Sequence, residues 1–233
     1  SDVTIRNTQT RDGLKRGLDI TAGGIITVEN NVAVGNGSSG ISITGVTDAG
    51  VTLAVSSNQV IHNGSHGLFV SNAIGGVITG NQAEDNSESG ILVRSSSNVS
   101  ITGNSTSGNQ DGIGAGVGSN ATDSVSAVAI ADNEVEGNAK AGIDVVASDS
   151  VTVEQNSVAN SGTSGLLIVG DGAAAVSIRS NDIESNGADG ISVRGAGSLT
   201  VSDNTMRANA ANGLRVRQSR TVAMNDNTIA NNR

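Results

Sequence analysis

The sequence predicts an all-β solenoid, a parallel β-helix of about ten coils of roughly 23 residues, and three observations predict it. A phrase typified by residues 151–168 recurs along the whole chain: apolar-x-apolar, two residues, an asparagine, a second polar position, then Gly-apolar-x-apolar. Two asparagine columns run through the copies five residues apart, and a glycine column opens the second apolar segment. The apolar pairs alternate with period two, which suits short strands; they do not recur at three and four residues, as a helix would require.

The first column is Asn31, Asn58, Asn81, Asn104, Asn133, Asn156, Asn181, Asn204 and Asn227, with Thr8 in the equivalent place before it. The second is Asn36, Asn63, Asn86, Asn109, Asn138, Asn186, Asn209 and Asn232. It is broken once, where Ser161 takes the expected offset and Asn160 stands beside it, so a local ladder defect is expected there. Stacked asparagines can bond to one another as ladders, and asparagine tolerates left-handed backbone, which suits turns. The glycines are Gly17, Gly40, Gly67, Gly90, Gly112, Gly142, Gly165, Gly190 and Gly213, read as permitting a tight bend.

The core then comprises pairs such as Ile26/Val28, Ile41/Ile43, Leu53/Val55, Ile91/Val93, Val151/Val153, Leu166/Ile168 and Leu214/Val216, joined by Val60 and Ile183. Two long steps mark insertions, around Gly45–Gly50 and Gly114–Ser124, the latter read as the mobile loop. The opposite face of the Val-x-Ile strands carries a row of small residues: Thr4, Thr27, Ala54, Val77, Ser100, Ala129, Thr152, Ser177, Thr200 and Ala223. Regular threonine rows on solenoids resemble ice-binding faces, but the mixture with Ala and Val reads as small β-compatible residues facing solvent.

Composition bounds the function classes. The 233 residues include 32 Gly, one Phe and no Cys, Pro, Trp or Tyr. Without cysteine there is no disulfide framework and no thiolate metal site. The formal charge is −9, yet residues 194–233 are net +4, with six arginines against Asp203 and Asp226. The acidic body disfavours nucleic acid. No apolar run is long enough for membrane insertion. No signal peptide is visible at the N-terminus, and the repeat is already under way at Val3 and still running at Ile229. Residues 1–233 therefore read as one β-helix domain, a segment of a longer chain, or a rod whose ends contact another copy or flanking domains.

The repeat is similar to that of right-handed parallel β-helices of the pectate-lyase superfamily, over nearly the whole chain. Segments 30–41 (Asn-Asn-Val-Ala-Val-Gly-Asn-Gly-Ser-Ser-Gly-Ile) and 63–69 (Asn-Gly-Ser-His-Gly-Leu-Phe) resemble repeats of mannuronan C-5 epimerases. The resemblance implies a right-handed coil, a secreted or cell-surface setting and an exterior groove along one sheet that meets an acidic polysaccharide such as alginate. The tyrosine and Asp-Pro-His of the epimerase signature have no counterpart here, because Tyr and Pro are absent.

Threading the columns clusters the candidate residues on three successive coils. His62 and Asp85 share an offset on adjacent coils, and His66 follows in the same coil; a histidine–carboxylate pair can act as acid and base. Phe69, Leu92 and Arg94 are expected to point outward, with Arg94 placed to bind a substrate carboxylate. Glu88 and Asp111, with Asp85 nearby, could take Ca²⁺, since hard cations favour clustered carboxylates; no other cofactor is expected. Arg194, Arg215 and Arg217 form a second basic stripe for the same ligand class. The leading functional expectation is a structural or carbohydrate-contacting solenoid without catalysis. The alternative is a lyase or epimerase acting on uronic acid polymers through the His62/His66 face.

Overall fold

The structure, a computed structural model, describes residues 1–45, 52–117, 123–147 and 149–233. Each coil contributes one strand to each of three parallel sheets. The first sheet has ten strands, from Val3–Arg6 to Thr221–Asn225; the second has ten three-residue strands, from Gln9–Arg11 to Thr228–Ala230. The third has nine, from Leu18–Thr21 to Leu214–Arg217, so the chain makes nine full turns and begins a tenth. Among the described residues no helix is long and apolar enough to cross a membrane.

Every strand pairs in register with its equivalent one coil away. The outer row of the first sheet shows this directly: Thr4 pairs with Thr27, Thr27 with Ala54, Ala54 with Val77, and so on to Ala223. Inward residues of the first and third sheets form one continuous apolar column, and the expected core pairs from Ile26 to Val201 are buried. Leu214 and Val216 are only half-buried, and Met224 and Ile229 are 56% and 54% exposed. The second sheet was the least visible in the sequence. Each of its strands turns one side chain inward, and this can be Ala33, Val60, Thr106, Val135 or Met206, so no apolar pair announces it.

The first asparagine column is an unbroken hydrogen-bonded ladder. Each Nδ2 donates to the Oδ1 of the next rung at 2.9–3.0 Å, from Asn31 to Asn227. The same Oδ1 also accepts the backbone N–H of the rung before, as when Asn81 N–H meets Asn104 Oδ1 at 2.9 Å. The second hydrogen on Nδ2 reaches a strand carbonyl of the preceding coil, for example from Asn58 to Val28 O at 3.0 Å. Both amide ends are thus satisfied inside the protein, the condition under which a buried polar group stabilises a fold.

Two expectations about these columns need correcting. The left-handed residue is not the ladder asparagine but the residue before it: Asn30, Ser57, His62, Asp85, Asp132 and Gln155 all have φ between 51° and 55°. Asn160, at φ 55°, therefore occupies the ordinary turn position and is not a displaced rung. Nor is the glycine column there to permit unusual bends. A Cβ on Gly40 would stand 2.7 Å from Asn63 Nδ2 and 2.9 Å from Gly67 O, so the glycines make room for the second ladder.

The expected ladder defect is present. Ser161 is buried, its Oγ has no hydrogen-bond partner, and it separates the rungs ending at Asn138 from those resuming at Asn186. Both proposed insertions leave the repeat at the corner between the third and first sheets. Residues 46–51 and 118–122, at the heart of the Gly45–Gly50 insertion and of the Gly114–Ser124 segment read as the mobile loop, lie outside the described residues.

Ser161→Asn should restore the missing rung. Thermal unfolding is expected to show a gain of about 1 kcal/mol, a rise of a few degrees. Asn104→Ala, which strands the Asn81 N–H in a dry interior, is expected to cost about 3 kcal/mol or more in the same measurement.

Candidate functional site

The outward positions of the third sheet line up into two columns. One runs Asp19, Ser42, Phe69, Leu92, Gly114, Asp144, Leu167, Ser192 and Arg215. Two residues further along the strands, Ser71 pairs with Arg94, and Val169, Arg194 and Arg217 pair in succession. Facing them from the turn is the residue before each glycine: His66, Ser89, Asp111, Ala141, Ser164 and Asp189. Three members of that turn column use a side-chain acceptor to bind the N–H one coil on. Ser89 N–H donates to His66 Nδ1, Ala141 N–H to Asp111 Oδ1 and Asn212 N–H to Asp189 Oδ1.

His66 is therefore built into the scaffold. With Nδ1 accepting, the neutral ring carries its proton on Nε2, which lies 2.9 Å from Glu88 Oε2. Its side chain is 13% exposed. Burial lowers its pKa to about 4; the Glu88 charge opposes that fall and Arg94 adds to it. The ring stacks on Phe69, with centroids 5.6 Å apart, and the Arg94 guanidinium lies 5.8 Å from the Phe69 centroid. Arg94 Nε is fixed by a 2.7 Å bond to Val117 O, at the start of the insertion. The product is a platform of one half-exposed aromatic ring with a cation beside it.

His62 and Asp85 meet as expected, with Nε2 and Oδ2 3.4 Å apart, but on an exposed turn. Leu92 departs from expectation. Although it faces outward, it is 1% exposed, because it leans over Gly114: a Cβ there would stand 2.8 Å from Leu92 Cδ1 and 3.7 Å from Val117 Cγ2. Glu88 and Asp111 do not share a column. The backbone neighbour of Glu88 is Gln110, whose N–H it accepts, because the turn before Gly112 is one residue short and moves Asp111 into the His66 column. Arg215 is engaged by the buried Asp189 at 3.2 Å, so it stands apart from Arg194 and Arg217.

Asp144 is the residue that the sequence reading passed over. Its signal was an acid two places after Gly142, inside the otherwise apolar strand Ile143–Ala147. It sits outward between Gly114 and Leu167. Burial pushes its pKa up to about 6, the Asp111 charge pushes the same way, and Lys140 opposes. The Asp111 carboxyl is also raised by burial, with the Ala141 N–H and Lys140 opposing. Asp144 is thus the group on this face able to exchange a proton near neutral pH.

A coil of three parallel sheets, each strand stacked in register on the next, defines a parallel β-helix. The comparisons agree. Residues 115–233 match the family model described as right handed beta helix region, and residues 1–122 match that described as periplasmic copper-binding protein (NosD). The chain belongs to the right-handed β-helix family. No curated protein matches it in sequence. Among solved structures, the A-module of Azotobacter vinelandii mannuronan C-5 epimerase AlgE4 superposes with TM-score 0.62 at 14% identity, over 99% of this chain and 87% of that one. The periplasmic alginate epimerase AlgG gives 0.65 at 16% identity over 97% of this chain, which spans half of the AlgG chain. Pectate lyase Pel9A gives 0.59 at 15% identity, over 100% of this chain and 68% of that one.

The described residues do not fit a copper centre. Copper favours imidazole, thiolate and thioether ligands; the sequence has no Cys, and each of the two His directs Nε2 at a carboxylate. Among the described residues no three His, Cys, Asp or Glu come together.

The two most strongly shifted groups of this face, His66 and Asp144, act oppositely on stability. His66, depressed from 6.5 to about 4, binds its proton more readily unfolded, so its contribution is full above pH 6.5 and is lost as pH falls towards 4. Asp144, raised from 3.8 to about 6, holds its proton more tightly folded, so its contribution is full below 3.8 and is lost as pH rises towards 6. Between pH 4 and 6 the two should largely cancel in the native protein. Denaturant unfolding across that range is expected to rise with pH in Asp144→Asn, by up to ~1.4 kcal/mol per unit, and to fall with pH in His66→Asn, which keeps the acceptor for Ser89. Parallel curves for the two variants would contradict this.

Proposed function

We propose that this chain is a binding solenoid that holds an acidic polysaccharide along the outer face of its third sheet, without turnover and outside the cytoplasm. The observation that carries this reading is Phe69, the single aromatic side chain of the sequence, held on that face by His66 with the Arg94 cation beside its ring. A sugar ring stacked on Phe69 would bring a carboxylate within reach of Arg94. The columns repeat at roughly 4.8 Å per coil, so a polymer lying along the axis meets similar positions at each step. The mannuronan and alginate epimerases and the pectate lyase that share the fold support the ligand class by their descriptions. The periplasmic descriptions of NosD and AlgG support the location.

The engagement of both His66 nitrogens supports binding without catalysis, since the one basic lone pair of the neutral ring, on Nδ1, is taken by the Ser89 N–H and the Nε2–H is directed at Glu88. The competing reading, a lyase or epimerase acting on a uronic polymer, rests on Asp144, a proton-exchanging carboxyl on the same face. No metal takes part in the reading advanced here.

Calorimetry with alginate and polygalacturonate oligomers should detect binding that weakens about tenfold in Phe69→Ala and in Arg94→Ala, a loss of ~1.4 kcal/mol each. A chelator should leave the affinity unchanged, and long incubation should yield no unsaturated or epimerised product. Product that disappears in Asp144→Asn would establish the competing reading, while no binding even at low ionic strength would remove both.

A further inference from the structure

The C-terminal end of the third sheet carries a charge arrangement that the folded chain does not neutralise. Arg194 and Arg217 are register partners on adjacent coils, both outward and both exposed. At roughly 4.8 Å between coils they place two guanidinium groups side by side, a mildly destabilising pairing of like charges. Other arginines show what this protein does when a carboxylate is in reach: Arg179 pairs with Glu154, Arg207 with Glu184 and Asp182, and Arg215 with Asp189.

Among the described residues, no ion pair or hydrogen bond engages the side chain of Arg194, Arg217 or Arg220; the Ser219 hydroxyl meets only the Arg217 backbone carbonyl. Arg220 adds a third cation: its Nη2 lies 3.9 Å from where a Cβ on Gly172 would stand, over the turn beside this pair. That turn is kept low by Gly170, Gly172 and Gly195, and Gly172 N–H donates to Gly195 O at 2.6 Å. The neighbouring acids have other partners. Asp171 Oδ1 accepts from the Ala173 and Ala174 N–H groups, and the Asp189 oxygens are taken by Asn212 and Arg215.

We infer that Arg194, Arg217 and Arg220 form a binding site for a tetrahedral oxyanion, a phosphate or sulfate group, separate from the Phe69 platform. Where a carboxylate pairs with arginine in this protein, it meets a single arginine, or two acids share one, whereas here two register-paired guanidinium groups and a third cation at the adjoining turn have no carboxylate partner among the described residues. Such a set matches a group with three or more acceptor oxygens and up to two negative charges. Guanidinium forks are the side chains best suited to that geometry. The site also sits on the net positive end of an acidic molecule, so a polyanion would approach this end first.

The test uses the full chain with inorganic phosphate, dextran sulfate and polygalacturonate as probes, in calorimetry at two salt concentrations. Dextran sulfate should bind, inorganic phosphate should compete with it, and Arg194→Ala/Arg217→Ala should weaken binding at least tenfold with a shallower salt dependence. Arg194→Lys/Arg217→Lys, which keeps the charge and loses the forks, should recover only part of the affinity. Arg11→Ala, which removes an exposed arginine at the other end, should change nothing. Polygalacturonate binding, which reports on Phe69 and Arg94, should be unaffected by the double substitution, so the two sites fail independently. The inference is overturned if native protein ignores dextran sulfate, if the double alanine variant binds it as tightly, or if the lysine variant recovers full affinity.

Discussion

The amide stacking of the first asparagine column sets the terms for everything else in the molecule. A buried carboxamide is tolerated only when its oxygen and both hydrogens are bonded, and a single coil cannot do that for itself. Each rung takes its acceptors from the coils before and after it, so every coil must repeat its backbone path at both asparagine corners. That demand fixes the five-residue spacing between the columns and forces glycine at the entry to the third sheet. It makes no demand on the third corner. The longer steps of 27, 29 and 25 residues all take up their extra length there.

The features that distinguish one coil from another arise from this freedom. The insertion after Gly114 brings Val117 over the outer face, buries Leu92 and fastens Arg94 beside Phe69. A one-residue contraction in the same coil moves Asp111 out of the Glu88 column and towards Asp144. The local chemistry is made by departures from the repeat, on a frame that the repeat holds rigid. His66 shows the reverse case: a side chain suited to catalysis by type is absorbed into the frame, as Asp111 and Asp189 are at equivalent positions.

The parts of the fold that could be read from the sequence are those enforced by side-chain identity. Asparagine columns, glycine columns and paired apolar positions admit few substitutes, so Asn31 to Asn227 and Ile26 to Val201 fell where expected. The middle sheet was less legible because one inward residue per strand can be apolar or not, as Thr106 shows beside Val135. The left-handed turn residues were only partly legible: Asn30, Asp85 and Gly80 are of types that favour positive φ, whereas Gln155 and Ala208 hold the same conformation with no such signal. At the site, pairing of His62 with Asp85 followed from equal offsets. The burial of Leu92 and the position of Asp111 depended on an insertion and a contraction that a constant period cannot anticipate.

The ladders have a direction. In every rung the Nδ2–H points towards the C-terminal coil and the Oδ1 towards the N-terminal one, so the carboxamide dipoles add along the rod. Strand hydrogen bonds run both ways along the axis and largely offset one another, as Ile26 N–H to Thr52 O and Val32 N–H to Thr8 O illustrate. The asparagines therefore polarise the solenoid, and aligned chains of this kind strengthen each member by polarisation. Ser161 divides one of the two chains into shorter segments, while the other runs without interruption to Asn227. Both point their positive ends towards the coil of Asn227 and Asn232, the direction in which Arg194 and Arg217 lie.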